Sequence, residues 1–119
     1  MKLDTIHNII EQFYHDCKFN VDALSMLTGY SRGYVWEQIK STSDTTLGEL
    51  LERKRIEKSL ELISKNICLC TVHSKAGFTN AKSFRRAFKK RLGVTPTYYK
   101  KLLSDNTKSE EAERIRNKL

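Results

Sequence analysis

Apolar residues recur along this chain at helical rather than strand spacing, in short runs separated by polar caps and glycines. Ile6, Ile9, Ile10 and Phe13 share one side of a first predicted helix, which Asp4 is placed to cap. A second short helix is expected over about residues 21–28, with Ala23, Leu24 and Leu27 as its apolar side and Gly29 as its stop. Ser31 caps a third, running to about residue 41, whose inward pair Val35 and Ile39 lies one turn apart. Helix, glycine turn and helix make the helix-turn-helix shape.

After the polar run 41–45, the sequence Thr46-Leu47-Gly48-Glu49 has the form of a capping box and opens a long helix. Leu47, Leu50, Leu51, Ile56, Leu60, Leu62 and Ile63 carry it to about residue 64, roughly 28 Å at ~1.5 Å per residue. That length suits a rigid link between two subdomains. A fifth helix is expected over about 69–76, ending at Gly77. Asn80 caps a sixth to about Arg91, with Phe84, Phe88 and Leu92 on one stripe, and Thr95-Pro96 starts a seventh with Tyr98, Tyr99, Leu102 and Leu103 on its apolar side. Beyond Leu103, Ser109 and the Glu110/Arg114 pair allow a short helix; a frayed, solvated end is the favoured expectation and packing of Ile115 and Leu119 the alternative.

The two halves repeat one another. Gly29-Tyr30-Ser31 corresponds to Gly77-Phe78-Thr79, Val35 to Phe84, Ile39 to Phe88, Thr46 to Thr95 and Leu50 to Tyr99, the later pairs offset by one residue. The fold expected is therefore all-α, of about seven helices: a helix-turn-helix subdomain over 1–45, a linker helix over 46–64, a second helix-turn-helix subdomain over 65–104, and a charged tail or short helix over 105–119.

Charge then changes the picture. Of the 22 basic residues, eight (Lys82, Arg85, Arg86, Lys89, Lys90, Arg91, Lys100 and Lys101) fall between Phe78 and Lys101, where there is no Asp or Glu. The 14 left over balance the 14 acidic residues, so the net +8 is a local device that calls for a polyanionic partner. On the sixth helix Lys82, Arg85, Arg86 and Lys89 share one side, opposite the aromatic stripe, and a helix so decorated suits a DNA major groove. The outward positions of the third helix, Arg32, Gly33, Trp36, Glu37 and Lys40, are nearly balanced in charge. Trp36 can be core or can lie against bases; Glu37 can accept from cytosine, pair with Lys40, or repel phosphate.

Other chemistry finds little support. There is no apolar run of 18 residues, and acidic and polar residues interrupt the apolar ones at the N-terminus, so neither a membrane span nor a signal peptide is expected and the location expected is cytoplasmic. Cys17, Cys68 and Cys70 read as buried thiols rather than a disulfide framework, and Cys68, Cys70 and His73 lack a second pair of metal ligands at recognisable spacing. No catalytic constellation or phosphate loop occurs, so no enzyme activity, cofactor or metal is expected.

The segment GFTNAKSFRRAFKKRLGVTPTYYKK resembles the signature of the AraC/XylS transcription regulators, matched at Gly77, Phe78, Phe84, Arg86, Phe88, Lys89, Lys90, Gly93, Thr95, Pro96 and Tyr99. The resemblance covers about residues 4–102 and is to the short, single-domain members of the MarA, SoxS and Rob type. It implies a monomer that sets two recognition helices into successive major grooves of double-stranded DNA, and an activator that recruits RNA polymerase without a small-molecule effector. Carried onto this chain, it implies base reading by Ala81, Lys82, Arg85 and Arg86, phosphate contacts near Asn80, Lys89 and Lys90, and a first reading helix using Arg32, Gly33, Trp36, Glu37 and Lys40. The chain departs from the short members at Gly33 (Trp there), Trp36-Glu37 (commonly Gln-Arg), Ile39 (Phe) and His73 (usually a small Ala, so packing is rearranged or His73 partly exposed).

Overall fold

A computed structural model of the chain describes residues 3–105 and 108–119. Among these, eight helices and no strands are found: α1 Leu3–Phe13, α2 Val21–Thr28, α3 Arg32–Ser43, α4 Leu47–Ser64, α5 Leu69–Lys75, α6 Ala81–Leu92, α7 Pro96–Ser104 and α8 Ser109–Arg116. Local chemistry sets most of their starts. The side chains of Asn20, Ser31, Thr46, Asn80 and Thr95 each accept a backbone N–H from the first turn of the helix that follows. Gly29 and Gly93 end α2 and α6 at φ +78° and +77°, a region open to glycine at little cost.

Several expectations are corrected. Asp4 lies inside the first turn of α1 and does not cap it. The capping box is half formed: Glu49 N–H donates to the Thr46 hydroxyl, but the Glu49 carboxylate accepts the Thr45 hydroxyl at 2.6 Å. Leu27 is 55% exposed and Tyr98 40% exposed, so neither belongs to the apolar side of its helix. The count of seven helices becomes eight because the tail packs. Ala112 and Ile115 are buried, Leu119 is partly so, and the Tyr98 hydroxyl donates to Glu111 at 3.0 Å. Ser109 opens α8 without a capping bond.

The apolar residues of α4 form two stripes, one for each of two cores. Leu47 and Leu51 join Ile6, Ile10, Phe19, Leu24, Val35 and Ile39 in the first. Ile56, Leu60 and Ile63 join Val72, Phe84, Phe88, Tyr99, Leu102 and Ile115 in the second. At 3.6 residues per turn the two stripes point about 170° apart. The linker thus offers opposite faces to the two clusters, and the molecule is elongated, 49 × 24 × 20 Å. Its radius of gyration is 15.5 Å, against about 13.5 Å for a compact domain of this length.

Polar contacts hold the two clusters in register. Arg55, half-buried on α4, donates from Nε to the Tyr14 carbonyl and from Nη2 to the Asp16 carbonyl, both at 2.9 Å. Gly77 packs against the same Tyr14 carbonyl so closely that a Cβ there would lie 2.0 Å from its oxygen. Arg91, at the end of α6, donates to the Glu52 carboxylate at 2.8 Å and to the Glu49 carbonyl at 3.2 Å.

Candidate nucleic-acid interface

The orientation of α6 is fixed from behind. Phe84, Ala87, Phe88 and Leu92 are buried, and rings run from Phe78 through Phe84 and Phe88 to Tyr99 with centroids 5.4, 5.7 and 6.0 Å apart. Spacings of this size are those of offset and edge-on aromatic pairs, which resist rotation of the helix about its axis. The opposite side is left to solvent. Lys82, Arg85, Arg86, Lys89 and Lys90 are all exposed, Ala81 is half-buried, and Asn80 is exposed while its side chain caps the helix. Among the described residues the ion pairs go to Arg32, Lys54, Lys58, Lys65 and Arg91, and none to these five. Five exposed cations outside these ion pairs on one helix make a surface of the kind that can neutralise phosphates and offer guanidinium forks to guanine edges.

The eight-residue basic run is therefore not one surface. Arg91 turns away to its bond with Glu52, held there by a partly buried carboxylate. Lys100 and Lys101 line a separate open groove of about 580 Å³ with Ile63, Ser64, Thr97 and Arg116.

Helix α3 is presented differently. Val35 and Ile39 are buried, which leaves Arg32, Gly33, Trp36, Glu37 and Lys40 exposed. Arg32 is bonded to Asp22 of α2 at 2.9 Å on the open surface. Trp36 is 49% exposed, which removes the core alternative for it. The Lys40 ammonium sits 5.6 Å from the Trp36 ring centre, so Lys40 partners the ring and not Glu37. A side chain added at Gly33 would meet nothing within 4 Å, so the position where the short relatives carry Trp has open space here.

Residues outside the expected set also contribute. Tyr30, just before α3, and Tyr34, in its first turn, have ring centroids 4.6 Å apart and are both exposed. Glu49 lies where the charges of Lys40, Lys90 and Arg91 reach it; its carboxyl is held below the usual range first by the Thr45 hydroxyl bond and then by those cations, against some desolvation. The acid-for-acid balance outside the basic run gave no hint of this; it follows only once the start of α4 is placed beside the ends of both helices. Arg55 and Gly77 set how the two units sit against each other; Arg55 is one of several charged residues of α4 and carries no local signal, whereas Gly77 is visible as a glycine at a turn. His73, in α5, is partly exposed with a buried Nδ1 that has no hydrogen-bond partner.

Comparison with known proteins places this geometry. A family model described as a helix-turn-helix domain matches residues 24–102, from α2 into α7. An uncharacterized HTH-type transcriptional regulator in the cgkA 5′ region of Pseudoalteromonas carrageenovora is 29% identical over 96 residues, covering 81% of this chain and 56% of that protein. The HTH-type transcriptional activator AarP of Providencia stuartii is 29% identical over 89 residues, covering 74% and 64%. The chain thus spans less than two thirds of either relative. Among solved structures, the C-terminal domain of the two-component response regulator yesN from Fusobacterium nucleatum is similar at TM-score 0.77 and 30% identity, over 82% of this chain and 95% of that one.

Proposed function

The chain belongs to the AraC-type helix-turn-helix family of transcription regulators, and on that premise we propose that it is a sequence-specific DNA-binding activator that lays α3 and α6 into adjacent major grooves. The observation that carries this reading is the acid-free cationic side of α6 set against a rigid aromatic backing. In it, Lys82, Arg85 and Arg86, beside Ala81, face base edges, while Asn80, Lys89 and Lys90 hold phosphates. On α3, Gly33, Trp36, Glu37 and Lys40 meet the second groove, and Arg32 exchanges its exposed Asp22 partner for phosphate, since such surface pairs are worth only about 0–1 kcal/mol. The 49 Å long axis supports a two-groove span, as successive major grooves on one face lie about 34 Å apart. In this reading the protein binds its site as a monomer and activates by recruiting RNA polymerase; activation is supported by the relative described as a transcriptional activator.

The test is selection of bound fragments from a random DNA pool, then hydroxyl-radical footprinting of the selected site. Two protected segments one helical turn apart are expected, with log affinity falling against log salt by about 0.9 per phosphate neutralised. Arg86→Ala should cost about 1–3 kcal/mol on the selected site and little on random duplex. Equal losses on both would make Arg86 a phosphate clamp only. A second reading, a protein-interaction module anchored to DNA by α6 alone, is favoured by the exposed aromatics Tyr30, Tyr34 and Trp36. Protection of a single groove, unchanged by Trp36→Ala, would select it. Recruitment is tested separately, by whether purified RNA polymerase binds the promoter more tightly when this protein occupies its site.

A further inference from the structure

Cys68 sits in the turn before α5 and Cys70 is that helix's second residue; contrary to the expectation of buried thiols, both are exposed, as is Cys17. The turn faces solvent on that side, with Val72 supplying the buried contact of α5 instead. The two sulfurs lie 2.7 Å apart, about 0.7 Å beyond the ~2.04 Å of a formed disulfide. We propose that Cys68 and Cys70 are a reversible dithiol modification site, oxidised by a hydroperoxide to an intramolecular disulfide.

The two thiols are perturbed in opposite directions. The Cys68 thiol is held below its ordinary value first by the hydrogen bond it shares with the Cys70 sulfur, and the Lys100 charge adds to this against some desolvation. The Cys70 thiol is pushed up, first because its proton is shared with Cys68. We take Cys68 as the attacking thiolate and Cys70 as the resolving thiol. The Cys68 sulfur attacks the terminal peroxide oxygen, the O–O bond breaks, and a sulfenic acid forms as alkoxide, or hydroxide in the case of hydrogen peroxide, leaves. The Cys70 sulfur then attacks the Cys68 sulfur, the S–S bond forms as the S–O bond breaks, and the departing hydroxide takes the Cys70 proton. With hydrogen peroxide as oxidant, two thiols are oxidised and one peroxide is reduced to two waters. Among the described residues no three His, Cys, Asp or Glu side chains are grouped as metal ligands, so the pair stands as a dithiol and not as part of a multi-ligand metal cluster. The disulfide would close at the first turn of α5, which packs on both α4 and α6.

Cys17, exposed between α1 and α2 with no second cysteine near it in sequence, is the internal comparator. The reduced full-length chain is treated with limiting hydrogen peroxide and examined by intact mass, thiol titration after denaturation, and peptide mapping. The expected result is loss of two of the three thiols, a mass lower by two hydrogen atoms, a link mapped to Cys68–Cys70, and full recovery with dithiothreitol. Cys70→Ser should stop at a sulfenic acid on Cys68 that dimedone traps, with circular dichroism unchanged. Oxidation of Cys17 ahead of the pair, a disulfide between chains, or both thiols of the pair remaining titratable in the wild-type protein would each overturn the proposal.

Discussion

Replacing Gly77 with Ala tests the idea that one backbone contact sets the two helical units against each other. Two separate costs arise. The first is conformational: Gly77 has φ +97°, and a side chain held in such a region costs about 1–3 kcal/mol. The second is steric, since the new Cβ would stand 2.0 Å from the Tyr14 carbonyl oxygen and 3.0 Å from Arg55 Nε. The blocking atom is backbone and is already held by Arg55, so relief requires the α1–α2 connection to move and that bond to lengthen. Overpacking of this kind costs about 1–3 kcal/mol. The total, about 2–6 kcal/mol, should lower the melting temperature by about 8–24 °C for a chain of this size. Gly29→Ala is the matched control: φ is +78° and nothing lies within 4 Å of the added carbon, so only about 1–2 kcal/mol is at stake. Urea unfolding and thermal melts followed by circular dichroism give both values. If the two variants lose equal stability within about 0.5 kcal/mol, the Tyr14 contact does not hold the units together.

Other consequences are as readily checked. Arg91→Ala should destabilise by about 1–2 kcal/mol through loss of its charged hydrogen bonds while leaving the salt slope of DNA binding unchanged, because Arg91 is engaged by Glu52; a reduced slope would put Arg91 on the DNA. Ile115→Ala should cost about 2–5 kcal/mol, since Ile115 is 3% exposed; a cost near zero in urea titration would mean the tail does not close the second core. Tyr99→Phe should leave the melting temperature unchanged or raise it, because the buried Tyr99 hydroxyl has no hydrogen-bond partner. The Glu11 carboxyl is held below 4.5 first by its hydrogen bond from Lys54 and also by the charge of Lys58. A depressed carboxylate contributes stability above its unfolded value, lost as pH falls through the folded one. Glu11→Gln should therefore flatten the decline in melting temperature below about pH 4.5 and leave the shape of the curve near neutrality unaltered.

How far the sequence could be read depended on whether a feature was local. Caps, glycine stops and the Phe84/Phe88/Leu92 stripe are written in neighbouring residues, and the helices α2, α4, α6 and α7 follow from them to within a residue or two. The two-sided character of α4 was hidden because its apolar residues, pooled, look like one long stripe; the switch of face between Leu51 and Ile56 is visible only when each half is phased separately. The tail was misjudged for a related reason. Ala112, Ile115 and Leu119 recur at helical spacing, but a short charged segment packs only if a surface awaits it, and that surface is made by α4 and α7. Arg91 was grouped with the basic run by adjacency, although its partner Glu52 lies 39 residues away.

These long-range contacts alter what the charge pattern means. The same run of the chain supplies a solvent-facing set, Lys82 through Lys90, and an inward tie, Arg91, so α6 is both decorated for a polyanion and anchored to α4. The acids Glu49 and Glu52 occupy the first turns of α4, and Glu49 feels the charges of Lys40 from α3 and of Lys90 and Arg91 from α6. An acidic point between the ends of α3 and α6 draws cations toward the linker there and disfavours close approach of an anion at that spot. Binding by two grooves would then be strongest at the outer ends of the helices and weakest between them. The unequal charge of α3 and α6 adds to this. On the proposed reading, α6 with its five exposed cations would supply most of the affinity, while α3, presenting Trp36, Glu37 and the space at Gly33, would discriminate by shape and by base edges that donate to a carboxylate, such as cytosine N4.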